Sequence, residues 1–588
     1  MLADQDLLSI QEVRHKVEKA FAAWQQYLAY PQEKIDAIVE HVASAARANS
    51  ERLAALAVEE TGYGNARDKH LKNLLAADVL PRRMRGMKTV GVLRELADEK
   101  VVEIGVPVGV VAAILPTTNP TSTAIYKSLI CLKAGNGIVI SPHPRARRCT
   151  CATAAMLAEA AYEAGAPEGI LECTNGATLE GTQALMRHER VSVILATGGM
   201  GIVKAAYSSG KPAIGVGPGN VPALIDTSAD VEDAVAKVVN GKRFDYGTVC
   251  SSEQAIVAEE ALRPRILAAL ESLGAHLADE TQKTALAKLL ILPNWTVNPE
   301  CVGQPAQKIA QMAGFAISAS APIICAEIQG VGKQHPLSAE KLSPVLSLLF
   351  VKDFGAALEV CRALLKFGGL GHTAVIHARD EARIRQFGLH VPAMRVLVNT
   401  SAPHGSTGIT TNVFPAMTLG CGAAAGNATS DNIGPLNLIN VKRLAYEVRK
   451  TEEAFESRAA FAAAAGGGGT PSRSTIAAAV ERYLVARDWQ TEAPSPPRAS
   501  ATAAEVVDRF LAQRGVGEAP PKPASSPQPP APSAPLPIVD FVSEADVRAA
   551  IRENRKIYIG PKTIVTPSAR DLAEPSDILV MPGPEGTR

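Results

Sequence analysis

The sequence predicts an α/β protein built on doubly wound parallel sheet, in more than one domain, followed by a tail of different character. Three observations predict it. Apolar runs without polar alternation, such as Val108-Gly109-Val110-Val111-Ala112-Ala113-Ile114-Leu115, fit strands buried on both faces of a parallel sheet. Such runs alternate with helical stretches in a βαβ rhythm. From about residue 451 the composition shifts to Ala, Gly, Pro and Ser.

The bulk properties narrow the function. The chain has 588 residues, more than one core ordinarily serves. With 47% apolar and 20% charged residues it reads as globular. A net charge of +1 leaves no electrostatic footprint for nucleic acid. No apolar run reaches the ~20 residues that cross a bilayer. The segment Met1 to Ile10 carries Asp4 and Asp6 and lacks a basic start, so a secretory signal is not expected. Nine cysteines lie without Cys-x-x-Cys spacing, Cys149 and Cys151 being closest. A reduced cytoplasmic protein without structural zinc is expected.

In chain order, residues 8–80 are expected to be helical, with Val13, Val17, Ala20 and Phe21, then Ile35, Ile38, Val39 and Val42, at helical spacing. Gly62 is the expected C-cap. Strands are expected over 101–104 and 108–115. The second ends in Pro116-Thr117-Thr118-Asn119-Pro120-Thr121, where open α/β sheets bind ligands. Taken alone, Asn119 reads as a turn residue capping the next helix. Its amide could equally donate to an oxygen developing negative charge.

A helix over 122–134 leads to a strand over 138–140, which ends in Ser141-Pro142-His143-Pro144. A helix over 151–164, a turn and a strand over 170–173 follow. The next strand, 191–196, enters Thr197-Gly198-Gly199-Met200-Gly201 and a helix over 202–207. Glycines at a strand-to-helix turn let backbone approach phosphate, although this is not the G-x-G-x-x-G fingerprint. After Ala213 to Pro222, where no carboxylate lies between Lys211 and Leu224, comes the loop Phe244 to Gln254. Cys250 sits there between the freely turning Gly247 and the strand-like Ala255-Ile256-Val257. That position suits a reactive thiol, whereas an isolated cysteine is ordinarily a buried space-filler. Helices over 258–273 and 280–290 and a strand over 322–327 follow. Glu340-Lys341-Leu342-Ser343-Pro344, the turn and strand from Gly368 to His377, a strand over 395–400 and the glycine-rich stretch 420–426 complete this part.

In this order these motifs resemble the CoA-acylating aldehyde dehydrogenases, the group that includes the N-terminal half of bifunctional aldehyde-alcohol dehydrogenases. The resemblance covers residues 8–450. It implies an aldehyde dehydrogenase fold, with a Rossmann-like NAD-binding domain over 1–225, joined by part of 420–450 and an oligomerisation segment near 95–108. A catalytic domain would span 226–420. It implies Cys250 as nucleophile and Asn119 in the oxyanion hole. Thr117, Thr197, Gly198, Gly199, Met200 and Gly215 would meet the cofactor, Ser141 and His143 its adenosine end, and Glu340 the nicotinamide ribose. His372 would lie on the substrate or CoA side. The cofactor would be NAD, with NADP not distinguished, and coenzyme A the co-substrate; no metal is implied.

Hydrolytic relatives carry a water-activating Glu at the position matched by Gly215. Its absence argues that a Cys250 thioester survives for a thiol acceptor. The expected reaction is therefore oxidation of a two- or three-carbon aldehyde to acyl-CoA in a homo-oligomer. A hydrolytic enzyme and an inactive scaffold are the alternatives.

The tail, 451–537, is expected to be a linker with amphipathic helices over 474–489 and 502–514, the latter opened by a Thr502/Glu505 capping box. Short helices on Pro-rich tethers need a partner surface. They resemble encapsulation peptides of bacterial microcompartment cargo, which implies shell proteins or other cargo as partners. A small module is expected over 538–588, with a helix over 543–553 and a hairpin around Gly560-Pro561.

Overall fold

The structure is a computed structural model that describes residues 4–176, 178–455, 472–485, 539–553, 555–573 and 578–580. It divides into two units, 1–456 and 457–588.

The first unit opens with two long helices, α1 (Gln5–Tyr27) and α2 (Gln32–Thr61), then α3 (Ala66–Leu74), one wider π turn (Leu75–Val79) and α4 (Leu80–Met84). Helix α2 ends at Gly62 in the left-handed region, as the sequence predicts. Three strands follow, β1 (Gly91–Leu96), β2 (Val101–Pro107) and β3 (Val110–Ile114). The predicted run over 108–115 is thus β3, fully buried.

Helix α5 (Pro120–Lys133) leads to β4 (Gly137–Ser141), α6 (Arg147–Glu163), β5 (Leu171–Cys173), α7 (Leu179–Arg187), β6 (Val191–Thr197), α8 (Met200–Tyr207) and β7 (Ala213–Val216). These strands form one parallel sheet in the order β5-β4-β3-β6-β7. Burial on both faces matches their unalternating sequence.

The second sheet draws on β8 (Val221–Ile225), β9 (Glu253–Glu259), β10 (His276–Leu277), β11 (Ile324–Glu327), β12 (Val345–Val351), β13 (Gly371–His377) and β14 (Ala393–Val398). It too is parallel, in the order β10-β11-β12-β9-β8-β13-β14. Helix α9 (Val231–Arg243) precedes the Cys250 loop. The expected domain boundary at 225 shifts, because β8 pairs with β9 and β13 and so belongs to the second sheet. The helix expected from 258 begins at Arg263 instead, since β9 stays extended through Glu259 against Val351. The helix expected over 280–290 is found at Glu280–Leu290.

Segment 95–108 lies in a separate antiparallel sheet, β1-β2-β15, closed by β15 (Ile439–Ala445). Beyond its first residue β15 is exposed.

In the second unit, a helix spans Arg473–Val485. The remainder of the helix expected over 474–489, and all of that over 502–514, lie outside the described residues. The terminal module is three parallel strands, β16 (Val539–Val542), β17 (Ile557–Val565) and β18 (Leu579–Val580), joined through helices Glu544–Arg552 and Pro567–Ala573. The expected hairpin at Gly560-Pro561 is absent. Residues 557–565 form one strand whose register against β16 jumps from Val539↔Ile559 to Phe541↔Ile564. The apparent turn is a bulge, tied by Gly560 N donating to Thr563 Oγ1 at 2.9 Å. Val542, Val547, Ala550, Ile557 and Ala569 give the module its own small core.

Candidate active site

The carboxyl ends of β3, β4, β6 and β7 open on one side of a cavity of about 670 Å³. The segments that enter β9 and β12 form the other side, bringing Cys250 and Glu340 to the same space. Ligand sites in open α/β sheets lie at such carboxyl ends. Thr117, Asn119, Ser141, His143, Thr197, Gly198, Gly199, Cys250 and Glu340 all line the cavity.

Cys250 reaches it through a strained approach. Asp245 and Tyr246 sit at φ 45° and 52°, a region non-glycine residues rarely occupy. Gly219 lies so close behind that a Cβ there would stand 2.3 Å from the Cys250 carbonyl oxygen. Burial, and then the nearby Glu340, push the Cys250 thiol up to about 12. Without bound partners the thiol is therefore held protonated.

Asn119 occupies the cap position of α5, yet its side chain caps nothing. Its Oδ1 accepts from Lys72 Nζ at 2.5 Å, and its Nδ2 donates to Thr118 Oγ1 at 3.0 Å. With Oδ1 held by a cation, Nδ2 is the atom left to serve as donor. Lys72 Nζ also donates to the Asp245 carboxylate and reaches Thr248 Oγ1 at 3.3 Å. Lys69 Nζ completes the group, 3.0 Å from Asp245 Oδ2 and 2.9 Å from the Thr118 carbonyl. Asp245 is wholly buried. Burial alone would raise its pKa, but Lys69 and Lys72 outweigh that and hold it below the usual carboxylate range. Lys72 is lowered to about 8 by burial, against the pull of Asp245.

Sequence reasoning missed Asp245, Lys69 and Lys72. The available signal was the i, i+3 lysine pair in α3, a helix whose buried residues are Lys69, Lys72 and Asn73.

Among the described residues, Glu340 is the one carboxylate lining the cavity. Its Oε1 accepts from Gly219 N at 3.1 Å. Burial raises it to about 8. Ser141 Oγ pairs with Thr182 Oγ1 at 3.0 Å on the opposite wall. His143 Nδ1 accepts from Arg145 N, closing a short turn, and burial lowers its pKa.

The first turn of α8 presents backbone to the cavity: Gly199 is its cap without a side-chain bond. A Cβ at Gly199 or Gly201 would meet nothing within 4 Å. That open cradle fits the phosphates of a dinucleotide.

Three expected residues sit elsewhere. Met200 does not line the cavity; it is exposed, with its sulfur near Gly217. Gly215 is inside β7, where a Cβ would meet Val203 and Tyr207 of α8. A side chain there would run into the helix, and the cavity wall is formed by Val216, Gly217 and Pro218 instead. None of these carries a carboxylate. His372 is fully buried behind Gly219 and lowered to about 3 by burial and Arg395. Its Nδ1 meets Thr373 Oγ1 at 3.0 Å. It lies behind the cavity wall, not in it.

A model of the aldehyde dehydrogenase family matches residues 2–287. The bifunctional aldehyde-alcohol dehydrogenase AdhE of Escherichia coli is 41% identical over 442 residues, 74% of this chain and 50% of that protein. The chain thus spans about half the length of that relative. The crystal structure of an acetylating aldehyde dehydrogenase from Geobacillus thermoglucosidasius superimposes with a TM-score of 0.75 at 48% identity, covering 76% of this chain and 99% of that one. A propionaldehyde dehydrogenase of Rhodopseudomonas palustris, solved with bound CoA and an acylated cysteine, superimposes at 0.67 with 28% identity, over 74% and 97%.

Two outcomes follow from the charge arrangement. Asp245→Asn strands two buried ammonium groups and is expected to cost about 3–5 kcal/mol in urea unfolding. Paired with Lys72→Met it should cost clearly less than the sum of the singles; additivity within about 0.5 kcal/mol would mean the two charges do not support each other. The raised Cys250 thiol also has a consequence for reactivity. Only the thiolate attacks, so alkylation of Cys250 by iodoacetamide is expected to be slow at neutral pH and to keep rising through pH 9. A rate that levels off below pH 8 would show a thiol already ionised in the free protein.

Proposed function

The chain belongs to the aldehyde dehydrogenase family, and on that premise we propose that it oxidises a short-chain aldehyde to an acyl-CoA through a thioester on Cys250. The observation that carries this is one cavity faced by both the Cys250 thiol and the Lys72-held amide of Asn119. The acylated cysteine and bound CoA of the propionaldehyde dehydrogenase support the same course here.

In this reaction the Cys250 thiol gives up its proton to solvent and the resulting thiolate Sγ adds to the aldehyde carbonyl carbon. The oxygen gains negative charge, and Asn119 Nδ2 turns from Thr118 Oγ1 to donate to it. Lys72 prevents the amide from flipping, because the flipped orientation would set an NH₂ group against an ammonium. A nicotinamide dinucleotide held in this cavity would supply the acceptor for the hydride that leaves as the carbonyl reforms. The turn Thr197 to Gly201 would hold its phosphates, Ser141 and Thr182 its adenosine end, and Glu340 its second ribose. The thiol of CoA then attacks the Cys250 thioester, the acyl group moves to its sulfur, and Cys250 is released as a thiol. A thiol acceptor needs less activation than water.

A two- or three-carbon aldehyde is the proposed substrate, in keeping with the acetylating and propionaldehyde relatives. We further propose that the tail directs the enzyme into a bacterial microcompartment. Its support is the short Arg473–Val485 helix, whose described side chains, Ile476 and Val480 among them, are exposed.

NADH formation with acetaldehyde or propanal is expected to depend strongly on CoA and to vanish in Cys250→Ala. Equal rates without CoA would replace acyl transfer by hydrolysis. Removal of residues 470–588 is expected to leave turnover nearly intact and abolish co-purification with shell proteins; shells that retain the shortened enzyme would refute the targeting role.

A further inference from the structure

Six of the nine cysteines are buried, and Cys151, Cys173 and Cys250 are partly accessible. Cys151 stands in the first turns of α6, and Cys173 is the last residue of β5. Their sulfurs are 3.2 Å apart, inside normal non-bonded contact and about 1 Å from bonding distance. Both also lie against the Thr174 carbonyl, at 3.6 and 3.8 Å. No other two sulfurs among the described residues come within hydrogen-bonding reach.

We propose that Cys151 and Cys173 form a dithiol site that a hydroperoxide-class oxidant converts to a disulfide, sparing Cys250. The first proton leaves this pair more easily than a lone thiol's. The S–H of Cys173 donating to the Cys151 sulfur lowers the Cys151 pKa, with Arg147 adding to it, and outweighs burial and the nearby Glu12 and Glu60, which raise it. Every other cysteine, Cys250 included, is pushed up, largely by burial. Cys173 is pushed up by Cys151 itself. Oxidation follows thiolate character and access, so it starts at Cys151.

The step balances. Cys151 thiolate attacks one peroxide oxygen, the O–O bond breaks, and the leaving hydroxide takes a proton to become water. The resulting sulfenic acid is attacked by Cys173 sulfur. The S–O bond breaks, the S–S bond forms, and the second oxygen leaves as water with the Cys173 proton. The two thiols lose two electrons and the peroxide gains them.

The site is placed to affect the cavity wall. Strand β5 is the edge of its sheet, bonded on one side to β4. Closing the sulfurs must draw this edge and α6 together. Immediately beyond Cys173, Asn175 N and Gly176 N are each held by the Glu12 carboxylate at 2.7 Å. Thr178, Leu179 and Thr182 then line the cavity, with Thr182 bonded to Ser141. This consequence rests on the proposed dinucleotide site; the disulfide itself does not.

The test uses the full chain, reduced and then treated with limiting hydrogen peroxide. Peptide mapping is expected to find the α6 and β5 peptides joined, with Cys250 recovered as a free thiol that iodoacetamide alkylates once the chain is unfolded. Dithiothreitol should reverse the link. NADH binding, followed by fluorescence, is expected to weaken severalfold on oxidation in the wild type and to stay unchanged in peroxide-treated Cys151→Ser. Peroxide found first on Cys250, or a sulfinic acid on Cys151 without a cross-link, would overturn the site. A clean cross-link with unaltered NADH binding would overturn its influence on the wall. No NADH binding even when reduced would count against the dinucleotide site and leave the mapping result standing.

Discussion

Asp245 carries a negative charge into a fully buried place and keeps it because two ammonium groups meet it there. The lysines come from α3, on the N-terminal side of the chain, and the carboxylate from the loop that bears Cys250. The same Lys72 holds the Asn119 amide at the carboxyl end of β3. One buried cluster thus fixes the Cys250 loop and the Asn119 amide relative to each other, although they enter from different sheets. Surface ion pairs contribute little, but a buried charge stripped of its partner is expensive. That asymmetry makes the geometry hard to distort without unfolding the site. Gly64 belongs to the same arrangement, since any Cβ there would collide with the Asp245 carboxylate.

Much of this was legible in the sequence. Unalternating apolar runs gave β3, β4 and β6 because a strand covered on both faces has no polar face to reveal. Gly62 and Gly247 marked turns because both adopt positive φ. The site residues at strand ends, Asn119, Ser141 and Thr197, were found because parallel topology sends those ends to one place. Other features were hidden for physical reasons. Lys69 and Lys72 look like solvated helix residues, and only tertiary contact shows them buried. Gly215 adjoins the cavity residue Val216 in sequence, but a Cβ there would meet α8, and His372 is buried behind Gly219 with no cavity residue beside it in sequence; a linear motif reports neither. Strand β8 follows β7 after four residues, too short a gap to announce a change of sheet.

The tail illustrates a different limit. Gly560-Pro561 has the composition of a hairpin turn, yet the chain continues in the same direction through a bulge. Local turn chemistry loses here to a parallel arrangement in which residues 557–565 lie between two partners, β16 and β18.

Under the proposed reaction, the choice between a thiol and water as acyl acceptor turns on Glu340, the one carboxylate among the described residues that lines the cavity with Cys250. The resemblance matches Gly215 to the water-activating base of hydrolytic enzymes, and the neighbouring residues that line the cavity, Val216, Gly217 and Pro218, bring no carboxylate either. Glu340 remains, but one of its oxygens is engaged by the Gly219 amide and burial holds it to about 8. A raised carboxyl is mostly protonated at neutral pH and gains base character only as pH climbs past 8. Water, a poor nucleophile, therefore meets little assistance over the neutral range. A CoA thiol brings its own thiolate fraction, which grows with the same rise in pH, so it keeps its advantage without any base from the protein. The proposed acyl transfer thus rests on what the cavity walls withhold from water as much as on the roles proposed for Cys250 and Asn119.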